Sequence, residues 1–190
     1  MFDLNYFKYC FLKPSGLEFN EVLLQNDFER FADDLLECDS DTFLYRDLNA
    51  RNVMISGDVP YFIDFQGGRR GPVYYDVASF VWQARAEYPE ELQKRMVESY
   101  LGALSGYMTV SREEFNSRLR LFILFRLMQA MGAYGFRGWS EHKAKFVASI
   151  PAALKSLENL LGEPFEDYPY LMETLKKMIG LPRFAGLRSG

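Results

Sequence analysis

The 190-residue sequence has two cysteines, one histidine, no excess of positive charge and no apolar run of membrane-spanning length. Cys10 and Cys38 are too few for a disulfide framework and match no metal-ligand spacing, so they are expected to be buried or free thiols in a reducing compartment. His142 lies among Glu141, Lys143 and Lys145, the pattern of a solvated helix face. That leaves a zinc site or a Ser-His-Asp triad without a well-placed imidazole. A net charge of −4 argues against a nucleic-acid partner. The longest apolar stretch, residues 119–134, is broken by Arg120, Arg126 and Gln129, so no membrane span is expected. Residues 1–8 carry Asp3 and Asn5 among their apolar positions, which is unlike a signal peptide. These absences are read as a soluble cytoplasmic protein.

Hydrophobic residues make up 48% of the chain and aromatics 16%, enough for a packed core rather than a disordered chain. Val22, Leu23, Phe28, Phe31, Leu35 and Leu36 recur at helical spacing within residues 17–38, and Asp39-Ser40-Asp41 breaks the pattern. Phe43-Leu44-Tyr45 reads as a short strand. Asn52 to Ser56 and Pro60 to Ile63 read as two more, paired as a hairpin across Gly57-Asp58. Beyond Pro72 the periodicity predicts helices over 75–86, 89–104, 111–136, 140–161 and 168–179. Ser111 with Glu114 resembles a capping box. The expected class is α+β and mainly helical, with a small hairpin near the front, not an alternating βαβ fold.

The chemistry lies in Tyr45-Arg46-Asp47-Leu48-Asn49-Ala50-Arg51-Asn52 and Ile63-Asp64-Phe65-Gln66-Gly67. Asn52 follows Asp47 by five residues, and Asp64 comes twelve residues after Asn52, where the hairpin ends. Folding that hairpin back brings all three to one edge. Phosphoryl transfer needs such a set: one carboxylate to orient a hydroxyl and take its proton, and hard oxygen ligands to hold Mg²⁺ against nucleotide phosphates. Asp47 is the candidate base, and Asn52 and Asp64 are the candidate metal ligands. Taken singly, each Asp could be an ordinary turn residue; their joint spacing is harder to dismiss.

The Asp-x4-Asn loop followed by Ile-Asp-Phe resembles the kinase superfamily, and within it the aminoglycoside phosphotransferase and choline kinase group of small-molecule kinases. Only eleven residues separate Asp64 from Asp76, and no Ala-Pro-Glu segment follows, which disfavours a protein kinase. Gly71-Pro72-Val73-Tyr74-Tyr75-Asp76-Val77-Ala78 strengthens the resemblance. It implies the C-terminal lobe of a protein-kinase-like fold, with ATP and Mg²⁺ as cofactors and Asp76 bonding the backbone of the catalytic loop. Tyr45 stands where that group usually has a His and is expected to take over its supporting role. Ile63-Asp64-Phe65-Gln66 with Tyr75-Asp76 downstream looks similar to the branch that phosphorylates cell-wall amino sugars.

Gln66, Arg69 and Arg70 are candidates for holding a phosphate or a substrate carboxylate; the alternative for the arginines is a solvated basic turn. Tyr74, Tyr75, Trp82 and Trp139 suit either a sugar pocket or core packing. Only 46 residues precede Asp47, with Gly16 their single glycine, so no glycine-rich phosphate loop lies there. The nucleotide-binding lobe is therefore expected in the same gene product or another chain. Residues 1–16 are read as a lobe-connecting segment and 17–190 as the catalytic lobe. The expected function is ATP-dependent transfer to a hydroxyl of a sugar or amino sugar, inactive in this chain alone. The alternative is a non-catalytic binding or regulatory module derived from a kinase.

Overall fold

A computed structural model describes residues 1–38 and 40–185. The break expected at Asp39 therefore lies outside the described residues. The chain forms two compact units: residues 37–126, and Met1–Leu36 together with the described residues from Leu127 on.

Residues 37–126 carry all of the strands assigned among the described residues. Strand β1 (Thr42–Leu44) pairs antiparallel with β4 (Arg69–Gly71), in the register Thr42↔Gly71, Phe43↔Arg70 and Leu44↔Arg69. Strands β2 (Val53–Ser56) and β3 (Val59–Phe62) pair antiparallel from Val53↔Phe62 to Ser56↔Val59. Their reversal is Gly57-Asp58, both at positive φ (53° and 63°). That is the backbone of a tight hairpin turn whose twist matches the strands. Strand β4 falls where the sequence reading had only a loop. Three residues rich in Arg and Gly carry no alternation of apolar side chains, and the pairing with β1 creates the strand.

Helix α3 (Val73–Val81) follows β4 directly, then α4 (Glu90–Leu104) and the first part of α5 (Arg112–Gly135). Ser111 Oγ accepts the Glu114 N–H at 3.1 Å, the capping bond expected from the Ser-x-x-Glu pattern. The core of this unit is aromatic. Phe115, fully buried, meets Tyr74 at 5.4 Å and Tyr100 at 6.0 Å between ring centroids, and Tyr74 stacks on Phe122 at 5.5 Å. Tyr74 and Tyr75 are thus packing residues of α3.

The other unit is wholly helical. Helix α1 (Phe2–Phe7) runs on through a wider π turn (Lys8–Leu12) and a 3-10 turn (Lys13–Ser15) to Gly16. Leu4, Phe7, Phe11 and Leu12 are buried, so this apolar segment docks rather than trailing free. Phe11 stacks on Trp139 at 4.8 Å and on Phe184 at 5.9 Å. Helix α2 (Glu21–Leu36) starts at Asn20, whose Oδ1 accepts the N–H groups of Val22 and Leu23 at 2.9 and 3.1 Å. Asp27, buried on α2, accepts the Leu171 N–H at 2.8 Å and so caps α8 (Pro169–Ile179) from across the unit.

The single helix expected over 140–161 is instead a short α6 (Ala144–Val147) and α7 (Ile150–Leu160), preceded by a π turn at Phe136–Ser140. Pro151 sits in the first turn of α7, where its missing N–H costs nothing, so the helix restarts there. His142 is not on a helix face: it lies in irregular backbone between the π turn and α6, at φ +54°. Helix α3 stops at Val81, and Ala84–Ala86 forms a separate 3-10 turn. Among the described residues no helix is long and apolar enough to cross a membrane, and neither Cys10 nor Cys38 forms a disulfide.

Candidate active site

Asp47 lies on the exposed loop between β1 and β2, next to Arg46, whose φ is +75°. A left-handed backbone at a non-glycine residue costs of order 1–3 kcal/mol unless its surroundings enforce it. Here they do. Asp76, on α3, accepts the Tyr45 N–H at 2.6 Å through Oδ2 and the Arg46 N–H at 2.9 Å through Oδ1. One carboxylate thus holds two consecutive backbone donors and turns the chain into the loop.

The far end of the loop is tied to its start. Asn52 Nδ2 and Asn49 Nδ2 both donate to the Asp47 carbonyl, at 2.9 and 2.8 Å. Asn52 is buried, in a 3-10 turn (Ala50–Asn52) closed by its own N–H on the Asn49 carbonyl at 2.9 Å. The side-chain amine is used inward, which leaves the amide oxygen as the atom suited to a cation. The Asn52 carbonyl in turn accepts the Ile63 N–H at 3.0 Å, which sets the residue before Asp64 beside the loop.

Asp64 also has positive φ, +69°. The Tyr45 phenol donates to the Ile63 carbonyl, the peptide group that leads into Asp64. Gln66 Nε2 donates to Asp64 Oδ1 at 2.7 Å. Burial pushes the Tyr45 phenol above its ordinary value, and the charges of Asp64, Asp47 and Asp76 push it further the same way. The charges of three acids singled out in the sequence, Asp47, Asp64 and Asp76, thus act on one phenol. Gly67 lies against Asp47 as well: a Cβ there would be 3.7 Å from Asp47 Oδ2 and 3.7 Å from Arg46 Cδ.

The Asp76 carboxyl sits above the usual carboxylate range, chiefly because it is buried. The two backbone N–H groups and the Arg126 charge pull it down, and the Asp47 charge pushes it up.

Arg69 and Arg70 are exposed on β4. Neighbours on a strand leave on opposite faces, so the two guanidinium groups do not share one. Arg70 pairs with Asp41 at 2.9 Å on the surface, a contact of small energetic weight.

Two contributors were missed from the sequence. Gln83 Oε1 accepts the Ala50 N–H at 3.2 Å while its amine donates to the Phe80 carbonyl at 2.9 Å. Gln83 lies just past the end of α3 in extended backbone, so no helical spacing from Asp76 announced it. Arg126 was noted only as an interruption of an apolar run. It donates to Tyr75 Oη at 2.5 Å and Ser79 Oγ at 2.7 Å.

Among the described residues no three His, Cys, Asp or Glu side chains gather as a metal site. One exposed carboxylate, Asp64, and one amide, Asn52, are hard oxygen donors. They suit a cation such as Mg²⁺, whose remaining positions go to phosphates and water.

A model of the phosphotransferase enzyme family matches residues 13–112, just over half of the chain. The chain is 26% identical over 146 residues to an N-acetylmuramate/N-acetylglucosamine kinase of Pseudomonas aeruginosa, covering 75% of this chain and 42% of that protein. It is 26% identical over 141 residues to a protein of the same description from Neisseria meningitidis serogroup B, covering 73% and 42%. The matched part is less than half the length of these curated relatives.

Proposed function

Because the chain belongs to the phosphotransferase enzyme family, we propose that it is the catalytic lobe of an ATP-dependent kinase for a hydroxyl of an amino sugar. The substrate class is that of N-acetylmuramate and N-acetylglucosamine, which the similar proteins are named for. The observation that carries this reading is the loop from Tyr45 to Asn52, held by Asp76 at one end and closed on the Asp47 carbonyl at the other.

In this reading Asp47 accepts a hydrogen bond from the sugar hydroxyl, aims its oxygen at the γ-phosphorus and takes the proton as the new O–P bond forms. The bond to the bridging oxygen of ADP breaks in the same transfer. Asn52, through its amide oxygen, and Asp64, through its carboxylate, would hold Mg²⁺. Bound there with ATP, the ion would neutralise charge on the phosphate oxygens. Gln66 keeps Asp64 oriented, and Arg69 and Arg70, on opposite faces of β4, are candidates for an anionic group of the acceptor. Tyr45 and Asp76 hold the loop and touch no substrate.

The nucleotide-covering part of the enzyme would come from outside these 190 residues, since the chain matches 42% of its relatives' length. The same observation favours a second reading, a kinase-derived binding module without turnover. The deciding experiment measures phosphorylation of N-acetylmuramate and N-acetylglucosamine by the whole gene product and by the 190-residue chain, each with Mg-ATP. Turnover by the whole product alone supports the proposal. Its absence from both, with sugar still bound, supports the module. Robust turnover by the short chain would mean that no further lobe is needed.

A further inference from the structure

The carboxylate that shapes the catalytic loop is itself built into a cluster that the reaction does not use. Asp76 lies on α3 and is half-buried. The groups that face it come from several elements. Tyr45 and Asp47 face it from the loop, Tyr100 from α4, and Arg126 from α5. Tyr100 donates to the Val73 carbonyl at 2.7 Å, and burial, with the Asp76 charge next, pushes its phenol up to about 12. It stays neutral at all working pH values. Arg126 is thus the positive charge among the groups facing Asp76, where Asp47 supplies a second negative one.

Arg126 is also fixed. Tyr75 and Ser79 are four residues apart on α3 and share a face. The two ends of the guanidinium donate to them at 2.5 and 2.7 Å, and the group lies 4.7 Å from the centre of the Tyr75 ring. The planar fork spans both hydroxyls at once, a geometry that a lysine ammonium cannot copy. Its charge is therefore presented from a set position, held by side chains one residue before and three residues after Asp76 on α3.

We propose that Arg126 is a positioning residue for the loop that carries Asp47: clamped on Tyr75 and Ser79, it faces Asp76 with a positive charge and so sustains the carboxylate's grip on the Tyr45 and Arg46 N–H groups. A hydrogen bond to a charged acceptor is stronger than one to a neutral acceptor. The grip holds Arg46 at positive φ and thereby sets the direction in which Asp47 leaves the backbone. The chain of effect runs from α5 through α3 to the base, entirely within residues 37–126.

The inference rests on the reading of Asp47 as the base, but its test measures the loop and not turnover, so the two can fail separately. Amide hydrogen exchange is followed residue by residue in the 190-residue chain, wild type beside Arg126→Met, Arg126→Lys and Arg126→Gln. In Arg126→Met the Tyr45 and Arg46 amides are expected to exchange about tenfold faster or more, the scale of one charge-assisted hydrogen bond. Amides of β2, β3 and α4 are expected to keep their rates. Arg126→Lys keeps the charge and is expected to restore most of the loop protection, although its hold on Tyr75 and Ser79 is poorer. If Arg126→Met does not fold, Arg126→Gln is read in the same way. Unchanged loop exchange overturns the proposal. So does equal loss of protection throughout residues 37–126, or failure of all three variants to fold, since either makes Arg126 a general stabiliser.

Discussion

The Tyr45 phenol donates to the Ile63 carbonyl and so joins the loop that holds Asp47 to the turn that holds Asp64. The two loops lie eighteen residues apart in sequence, and this bond lets one side chain govern both. Phe62 packs edge-on to the same ring at 6.2 Å. Tyr45→Phe keeps that packing and deletes only the bond. The complete enzyme is expected to lose turnover and to need more Mg²⁺ for half-maximal rate, with its melting temperature nearly unchanged. Tyr45→His, with a ring N–H in reach, is expected to recover much of the rate. Equal Mg²⁺ dependence in wild type and Tyr45→Phe would detach Tyr45 from the metal loop.

Asp47→Asn keeps the shape and removes the base. Turnover in the complete enzyme is expected to fall by about two orders of magnitude or more, the usual scale for general-base catalysis. Sugar affinity, measured by calorimetry, is expected to change little. A near-normal rate would remove Asp47 from its role.

Asp64→Ala is expected to abolish binding of Mg-ATP while leaving sugar binding intact, because it takes away the one carboxylate proposed as a metal ligand. Titration with Mn²⁺ followed by electron paramagnetic resonance reads the loss directly. Unaltered Mn²⁺ affinity in the variant would move the metal elsewhere.

Arg69→Ala and Arg70→Ala test the acceptor side. N-acetylmuramate carries a carboxylate that N-acetylglucosamine lacks. Either replacement that touches this group is expected to raise KM for the first sugar more than for the second. Arg69 is expected to have the larger effect, since Arg70 is already paired with Asp41. Equal changes for the two sugars would leave both arginines as solvated strand residues.

Asp76 predicts a pH dependence of stability. Burial raises its carboxyl above the unfolded value, near 3.9. The native state therefore holds that proton more tightly. The stabilising contribution is complete below the unfolded value and is lost as pH rises through the folded one. Asp76→Asn has no such group. The unfolding free energy of wild type minus that of the variant, from urea titrations, is expected to shrink as pH rises from below about 3.9 towards neutrality. A difference that grows with pH would show that the N–H groups and Arg126 outweigh burial.

Local chemistry was legible in the sequence by itself. The apolar period of 3.6 located α2 and α4, because each buries one face, while α5 was marked by a long apolar run whose consecutive residues Phe122, Ile123 and Leu124 are all buried. Gly57-Asp58 between two β-rich runs marked the hairpin, because few other residues accept two positive φ values in succession. Asp47, Asn52 and Asp64 stood out by spacing, because a short hairpin can return a chain to its start in only a few lengths. Tertiary structure decided the rest. Strand β4 exists only through its partner β1, so no pattern within Arg69–Gly71 could announce it. The break between α6 and α7 overrode a periodicity that looked continuous. Asp27 caps a helix 144 residues away, and Arg126 clamps a face of α3 47 residues earlier. Neither relation has a local signature. Side-chain bonds between distant elements depend on where the helices pack, and that is a property of the whole core rather than of any stretch of chain.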